Sequence, residues 1–328
     1  MIPVGNSHYC PLEQESLLHI SGEQALHFLQ GQLSCDTRKL GPQQSLPGLY
    51  CTVQGRVVCD FLLCQLAPEQ FALRLRRDIH SSSAALLAKY IVFSKARIIP
   101  ENNDWQLLGC WGEGVGDVLR ECLGQLPTGK YASCGGENFL LVQVDDHGQQ
   151  FECYLKRAPQ AEVFQQLQTR LQLASEPVWQ ALQIRNGVAR IELNTSGEFI
   201  PQMLNYDITG HISFNKGCYT GQEVVARMHY KGKPKRRMYL ARVDAIEPAT
   251  AGSALYASRR DAIASATDAG ADTARNVGNI VNCAGAADQQ LWALLVTTRE
   301  GLTAGLHLNT PDGPELTLAE LPYSVPNS

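Results

Sequence analysis

Apolar residues recur along this chain with two periods, every second residue in some stretches and every third or fourth residue in others. The first period predicts strands and the second predicts helices. Strands are predicted at Leu17–Ile20, Phe71–Arg76, Trp105–Cys110 and Phe139–Val144, with a hairpin over Leu49–Leu66 that turns at Gln54 and Gly55. Helices are predicted at Ser81–Phe93, Val115–Leu123, Gln160–Gln172 and from Pro177 to Gly187, and a Ser21/Gln24 capping box is expected to open another. This irregular mixture favours the α+β class over a doubly wound sheet.

The pattern changes after Arg236, where only short strands are predicted. They cover Met238–Val243, Asn276–Asn282, Leu291–Thr297 and Leu316–Glu320. Between the first two lies an alanine-rich polar stretch, 261–275, which predicts a long surface loop. The C-terminal part is therefore expected to be a small separate β-domain.

Composition narrows the class of protein. The chain has 328 residues, 44% of them hydrophobic and 18% charged, which predicts two or three domains with buried cores. A net charge of −4 argues against coating nucleic acid through the overall field, although a local basic patch fits. The N-terminus has no basic start or apolar run, and no apolar stretch is long enough to span a bilayer. We therefore expect a soluble, cytoplasmic protein.

Eleven cysteines are scattered along the chain without a CxxC motif or zinc-ligand spacing. This predicts a reducing compartment, no metal site, and thiols that mostly serve as small buried hydrophobes. Cys51, Cys59 and Cys64 are close enough in sequence to suggest a metal cluster. However, Cys51 and Cys59 share one parity with neighbouring apolar residues, which favours a place in the core.

The densest group of chemically special residues is Phe214–Arg227, with the sequence FNKGCYTGQEVVAR. Cys218 follows Lys216 and precedes a helix predicted from near Gly221. A lysine and a helix N-terminus both favour a thiolate, so Cys218 is the candidate catalytic thiol, with Lys216 beside it. The alternative is an inert buried cysteine.

Other catalytic classes have little support. His211 and His229 are predicted to be surface side chains, which leaves a papain-like Cys–His pair poorly supported. P-loop, Rossmann-glycine, HExxH and GxSxG motifs are absent, so nucleotide and nicotinamide chemistry lack sequence support.

Upstream residues are compatible with a pocket for a flat heterocyclic ligand such as a pterin. The Glu198 carboxylate can accept two hydrogen bonds from an amino-pyrimidine edge, and Gln202 can add polar contacts. Trp179 offers a flat stacking surface. The alternatives are an exposed glutamate in a loop and a core tryptophan. Glu223 and Arg227, four residues apart on the predicted helix, face the same way and are also compatible with a surface ion pair.

Five positive charges lie in the seven residues that follow: Lys231, Lys233, Lys235, Arg236 and Arg237. This run suits the anionic glutamate tail of a folate or the phosphates of RNA. A solvated linker into the last domain is the third interpretation. We favour it, because runs of charged residues usually lie in solvent.

The motif at Phe214–Arg227 resembles the signature of the YgfZ folate-binding family, whose members are relatives of the glycine-cleavage T-protein. The similarity runs from about Leu17 to the end of the chain. The resemblance implies an α+β, three-domain T-protein-like ring around a central channel. Its domains would be a discontinuous folate-binding domain (1–48 with about 150–233), an inserted α+β domain (about 49–149) and a small C-terminal β-barrel (234–328). Further family landmarks are Gly31-Gln32, Tyr90–Lys95, Phe199–Gln202, Gly232 and Leu321–Ser324.

The resemblance also implies a ligand, tetrahydrofolate or a derivative of it. Cys218 carries over as the motif cysteine and Trp179 as an aromatic folate contact. Family members are associated with maintaining iron–sulfur enzymes and thereby with tRNA modification, which implies an iron–sulfur carrier or client enzymes as partners and leaves direct tRNA contact open. The full candidate cofactor-binding set is Trp179, Glu198, Gln202, Tyr219, Gln222, Glu223 and Arg227.

Two departures from the family pattern shape the expected activity. Glu15 or Ser16 stands where some relatives have a second aromatic folate contact, and Tyr90–Ile99 holds no aspartate to match the catalytic one of the aminomethyltransferases. We therefore expect a tetrahydrofolate-binding factor that supports iron–sulfur enzymes. A folate-dependent one-carbon transferase, a redox protein and a non-catalytic scaffold for iron–sulfur proteins stay open as alternatives.

Overall fold

The structure is a computed structural model that describes residues 6–100, 104–243, 249–257, 276–285 and 290–326, so the loop predicted at 261–275 lies outside the described residues. The chain divides into two compact units. Unit 1 comprises Met1–Cys51, Val58–Glu176 and Gly210–Gln222, and unit 2 comprises Thr52–Val57, Pro177–Thr209 and Glu223–Ser328. The three-domain division and the ring around a channel stay predictions.

Unit 1 is built mainly on two sheets with helices packed on them. The strands are β1 His8–Pro11, β2 Glu15–Ser21, β3 Leu46–Cys51, β4 Val57–Ala67, β5 Gln70–Arg76, β6 Arg97–Ile99, β7 Trp105–Trp111, β8 Ser133–Gly135, β9 Phe139–Gln143, β10 Gln150–Lys156 and β11 Gln172–Leu173. One sheet has the strand order β3-β4-β5-β2-β6 and the other β11-β1-β7-β10-β9-β8. The helices are α1 Ala25–Gln32, α2 His80–Ile91, α3 Val115–Leu123 and α4 Ala161–Arg170, with 3₁₀ turns at Thr37–Lys39 and Arg77–Ile79.

A buried charge network joins the two sheets of unit 1. Arg74 on β5 makes an ion pair with Glu152 on β10 at 2.8 Å and approaches Glu15 on β2 at 3.6 Å. Tyr154 donates a hydrogen bond to Glu152. All of these side chains are buried, so each charge depends on its partners rather than on water.

The predicted elements are largely confirmed, with local corrections. The hairpin exists as β3 and β4, and Gly55 adopts a positive φ of 72° in its turn. The Ser21/Gln24 capping box is wrong: α1 begins at Ala25, and Gln24 instead accepts a hydrogen bond from the Lys95 backbone N–H at 2.9 Å.

Burial confirms one core assignment and overturns another. Cys51, Cys59 and Cys64 are all buried, as the core interpretation predicts. The helical period over Ser81–Phe93 predicts an inner face of Leu86, Leu87, Tyr90 and Ile91. Tyr90 is 46% exposed, so its place on that face is wrong.

Unit 2 contains one antiparallel sheet. Its strands are β12 Arg236–Val243, β13 Ala254–Ala257, β14 Asn276–Gly285, β15 Leu291–Thr298, β16 Leu306–Leu308 and β17 Leu316–Ala319. They lie in the order β16-β13-β14-β15-β12-β17. His307 in β16 bridges to Glu315 just before β17, so the two edges of the sheet curl toward each other. This confirms the predicted strand-rich C-terminal region. Among the described residues, no helix is long and apolar enough to cross a membrane. The helices are α5 Glu176–Arg185 and α6 Gln222–Lys231, which begin at the unit boundaries, and α7 Arg299–Thr303, with 3₁₀ turns at Leu193–Thr195 and Pro201–Leu204.

Candidate functional site

The cysteine motif forms a loop that leads directly into α6. Gly221 has a positive φ of 83° immediately before the helix starts at Gln222. The Gln222 side chain accepts a hydrogen bond from the Tyr219 backbone N–H at 3.2 Å, and the Gln222 N–H donates to the Tyr219 carbonyl at 3.2 Å. These two bonds close the turn, so Tyr219 and Gln222 fix the backbone after the cysteine.

Lys216 anchors the start of this loop to the C-terminal end of α1. Its ammonium donates hydrogen bonds to the carbonyl oxygens of Gln30 at 2.7 Å and Cys35 at 2.8 Å, and also to that of Leu33. An ammonium has three donors, and a helix C-terminus favours a cation, so the site satisfies Lys216 completely. Burial lowers the pKa of Lys216 to about 8, and electrostatic interactions with Cys35 and Asp36 partly oppose that shift.

Two further bonds hold the motif region against the same part of unit 1. The Thr220 hydroxyl donates to the Gln32 side-chain oxygen at 3.2 Å, and the Ser213 N–H donates to the Ser34 carbonyl at 2.9 Å. His211 is buried, so its predicted surface position is wrong, and its carbonyl accepts a hydrogen bond from the Ser34 hydroxyl at 2.6 Å. The motif is therefore clamped at several points rather than carried on a loose loop.

Cys218 differs from the other ten cysteines in its exposure. All eleven lie in the described part of the chain; seven are buried, three are half-buried, and Cys218 is the exposed one. Burial raises the pKa of the thiols of Cys35 and Cys64 to about 12, which keeps them protonated and unreactive. The structure thus offers one accessible thiol, on a fixed loop.

The predicted pairing of Lys216 with the thiol takes a different form. The three donors of its ammonium are directed to backbone carbonyls and hold the loop that carries Cys218, while the predicted catalytic role of Lys216 stays a prediction. The partners at Gln30, Leu33 and Cys35 are more than 180 residues away in sequence. Only the Gly31-Gln32 landmark hinted at this region.

Within unit 2, Gln202 is the most informative of the predicted ligand residues. It lies in the 3₁₀ turn Pro201–Leu204, is 1% exposed, and its amide donates to the Val225 carbonyl on α6 at 2.9 Å. Its side-chain oxygen has no hydrogen-bond partner among the described residues. Leaving a buried acceptor unsatisfied costs about 1–3 kcal/mol, so an N–H donor brought to this oxygen would be stabilising. An amino-pyrimidine edge carries such donors, and in this respect Gln202 fits a pterin.

The other predicted ligand residues of unit 2 occupy varied environments. Glu198 is exposed, and its backbone carbonyl, rather than its carboxylate, accepts a hydrogen bond from Arg56. Trp179 is 4% exposed on α5, so protein surrounds most of its ring; its role as a folate contact stays a prediction. Glu223 and Arg227 are exposed on α6, beside a groove of about 440 Å³.

A residue pair that sequence analysis missed supports Gln202. Arg237 is buried and forms an ion pair with Asp207 at 2.7 Å, while it donates to the Gln202 carbonyl at 2.8 Å. The prediction that Arg237 belongs to an exposed basic run is therefore wrong. Asp207, the acidic residue that pairs with it, lies 30 residues earlier, too far to be matched by local pattern.

No group of three or more His, Cys, Asp or Glu side chains among the described residues is arranged to hold a metal ion.

Comparisons with known proteins place the chain among close relatives in fold and sequence. No family model matches. The chain is 28% identical to the tRNA-modifying protein YgfZ of Pectobacterium carotovorum over 98% of this chain and 95% of that protein. It is 33% identical to the tRNA-modifying protein YgfZ of Pectobacterium atrosepticum, covering 70% and 68%. It is 30% identical to that of Yersinia enterocolitica, covering 96% and 92%.

A solved structure gives the same fold. The glycine cleavage system aminomethyltransferase T from Bartonella henselae matches 97% of this chain and 86% of its own with a TM-score of 0.74. At 16% sequence identity, this likeness concerns the mixed α and β fold alone.

Proposed function

The chain belongs to the YgfZ family, and from that premise we propose that it is a tetrahydrofolate-binding factor that supports iron–sulfur enzymes and, through them, tRNA modification. The observation that carries this proposal is the environment of Cys218, the one exposed thiol among eleven cysteines, on a loop that Lys216 anchors. An accessible sulfur held in a fixed position suits redox or one-carbon chemistry.

The thiol acts together with partners outside this chain. A single cysteine cannot complete an iron–sulfur site, so any cluster that reaches Cys218 needs ligands from a carrier or client protein. A cluster can reach Cys218 only because its thiol is exposed, whereas the other ten thiols are buried or half-buried.

The folate part of the proposal rests on Gln202. Its buried side-chain oxygen would accept a hydrogen bond from the amino-pyrimidine edge, and Glu198 would accept others from the same edge. Trp179 would contact a ring of the folate, and Arg227 would attract its carboxylates. Glu223 is proposed as a polar contact, whereas Tyr219 and Gln222 act by closing the turn after Cys218. When bound, the folate would supply the one-carbon carrier chemistry.

Aminomethyl transfer is a weaker proposal. The fold is that of an aminomethyltransferase, but no aspartate lies in Tyr90–Ile99 to serve as its catalytic acid or base. The proposed role therefore differs from that of the enzyme whose fold it shares.

Substitution of the exposed cysteine tests the proposal directly. Cys218→Ser should abolish support of an iron–sulfur-dependent tRNA modification, measured by mass spectrometry of tRNA nucleosides from a strain that depends on this protein. The matched control is Cys134→Ser at a half-buried thiol, which should retain the modification. Full modification with Cys218→Ser, in protein that circular dichroism shows to be folded, would remove the thiol from the function.

A further inference from the structure

We propose that the exposed face at the end of α6 and the segment after it form a docking surface for the phosphate backbone of RNA. We call it the basic surface and define it by Arg227, Tyr230, Lys231, Lys233 and Lys235. This inference rests on the proposed function, because it names the macromolecule that the protein would touch directly in tRNA modification.

The first observation is the regular exposure of the lysines. Lys231, Lys233 and Lys235 are exposed, whereas Gly232 and Pro234 between them are half-buried. The residue before a proline favours an extended backbone, and alternate residues of an extended chain point the same way, roughly 7 Å apart. Lys233 and Lys235, on either side of Pro234, are therefore expected to point the same way, and Lys231 precedes them as the last residue of α6.

The second observation is that the fold does not use these charges. Among the described residues, the side chains of Lys231, Lys233 and Lys235 make no hydrogen bond or ion pair, although Lys231 itself ends α6. Arg237, only two residues further on, is buried and paired with Asp207. The two ends of the basic run thus have different roles, and the charges of the three lysines are available to an external anion.

The third observation concerns the contrast in charge. The whole chain carries a net charge of −4, so four exposed cations within the nine residues 227–235 are a local exception. Glu223 is the single acidic residue lining the groove on α6, at the opposite end from Lys231. A positive surface on an acidic protein selects for a polyanion at that place rather than over the whole molecule.

An aromatic ring beside the cations favours RNA over an acidic peptide. Tyr230 is 67% exposed, and its ring meets that of His229 edge to face, with centroids 4.9 Å apart. Tyr230 also lines the groove of about 440 Å³ with the apolar side chains of Val224 and Ala226. Unpaired bases stack on such rings while cations hold the phosphates. A glutamate tail offers carboxylates but no ring for Tyr230.

The test is fluorescence anisotropy of the full chain with a labelled, unmodified tRNA transcript, over a range of salt. In Lys231→Gln/Lys233→Gln/Lys235→Gln, affinity should fall about tenfold or more at physiological salt, and the slope of log affinity against log salt should shrink by about 3. The matched control is Lys39→Gln/Lys89→Gln/Lys130→Gln, which makes the same change in net charge at exposed lysines of unit 1. It should bind like the wild type.

A second variant separates stacking from charge. Tyr230→Ala should weaken binding about tenfold, because a stacked base is lost, with the salt slope unchanged. Unchanged affinity, or a change in the salt slope, would contradict the stacking role.

Several outcomes would overturn the inference. The wild type failing to bind the transcript would do so, as would equal loss in both triple variants, which would indicate unspecific attraction. If the lysine variant loses affinity for polyglutamylated tetrahydrofolate and keeps it for RNA, the surface serves the folate tail; the inference is then wrong and the proposed function stands. Lysine-dependent RNA binding without any tetrahydrofolate binding supports the inference and contradicts the folate part of the proposed function.

Discussion

Lys216 and Lys233 are the same residue type, 17 positions apart, in opposite circumstances. Lys216 in unit 1 is partly buried, and three carbonyl oxygens at the end of α1 use every donor of its ammonium. Lys233 in unit 2 is exposed and has no hydrogen-bond partner among the described residues. Burial therefore decides which polar groups hold the fold and which are available to an external molecule. Cys35 and Cys218 differ in the same way.

The difference between buried and exposed charges should change stability most at two arginines of unit 1. Arg74→Met would leave Glu152 and Glu15 buried without their cation, so the free energy of unfolding should fall by about 3–5 kcal/mol. Arg120→Met breaks only an exposed ion pair with Asp117 and should cost less than about 1 kcal/mol. Urea titration of both variants gives the comparison, and equal losses would contradict it.

The lysine pair should show the next largest effect. Lys216→Met removes three hydrogen bonds and leaves carbonyl oxygens at the end of α1 unsatisfied, so unfolding should become easier by about 2–3 kcal/mol. Lys233→Met, its matched control, should change stability by less than about 0.5 kcal/mol. The same urea titration measures both. A Lys216→Met protein as stable as the wild type would mean that the motif loop is not anchored as described.

Trp179 sharpens the comparison between a buried ring and a ligand contact. Trp179→Ala should weaken tetrahydrofolate binding by about 1–3 kcal/mol if the ring stacks on the ligand. Because Trp179 is also part of the core, Trp179→Phe is the control that preserves a ring with less loss of packing. Calorimetric titration of folded variants gives both affinities. Unchanged affinity in the alanine variant would leave the tryptophan with a packing role only.

Thiol labelling of the unsubstituted protein should count the exposed cysteines. With iodoacetamide at about pH 8, near the ordinary pKa of a thiol, the native protein should take up one label rapidly, at Cys218. Burial raises the pKa of most other thiols, and it raises that of Cys10 and Cys283 to about 12. These thiols should therefore react slowly. Mass spectrometry identifies the site. Rapid labelling of several cysteines, or none, would contradict the exposure of a single thiol.

Local pattern predicted much of the fold but failed where distant residues decide. β7 and β9 follow from clear alternation of apolar residues. β10 was not predicted, although it lies between those two strands in the sheet. The reason is Glu152, a charge that can be buried in β10 only because Arg74 comes from 78 residues away. Sequence pattern treats such a residue as polar and exposed.

The candidate site shows the same boundary. The motif around Cys218 was predicted from a short run of residues, and the structure adds the exposure of its thiol. The carbonyl partners of Lys216 and the pairing of Arg237 with Asp207 depend on contacts between distant segments, and no local period encodes them. Family resemblance pointed to residues, whereas their roles came from geometry.

The proposed binding of tetrahydrofolate is tested by anaerobic calorimetric titration of the full chain with this ligand. We expect saturable heat with one site per chain, competition by folinic acid, and weaker binding in Gln202→Leu, which lacks the buried side-chain oxygen. No heat from the folded wild type and no competition by folinic acid would contradict the claim.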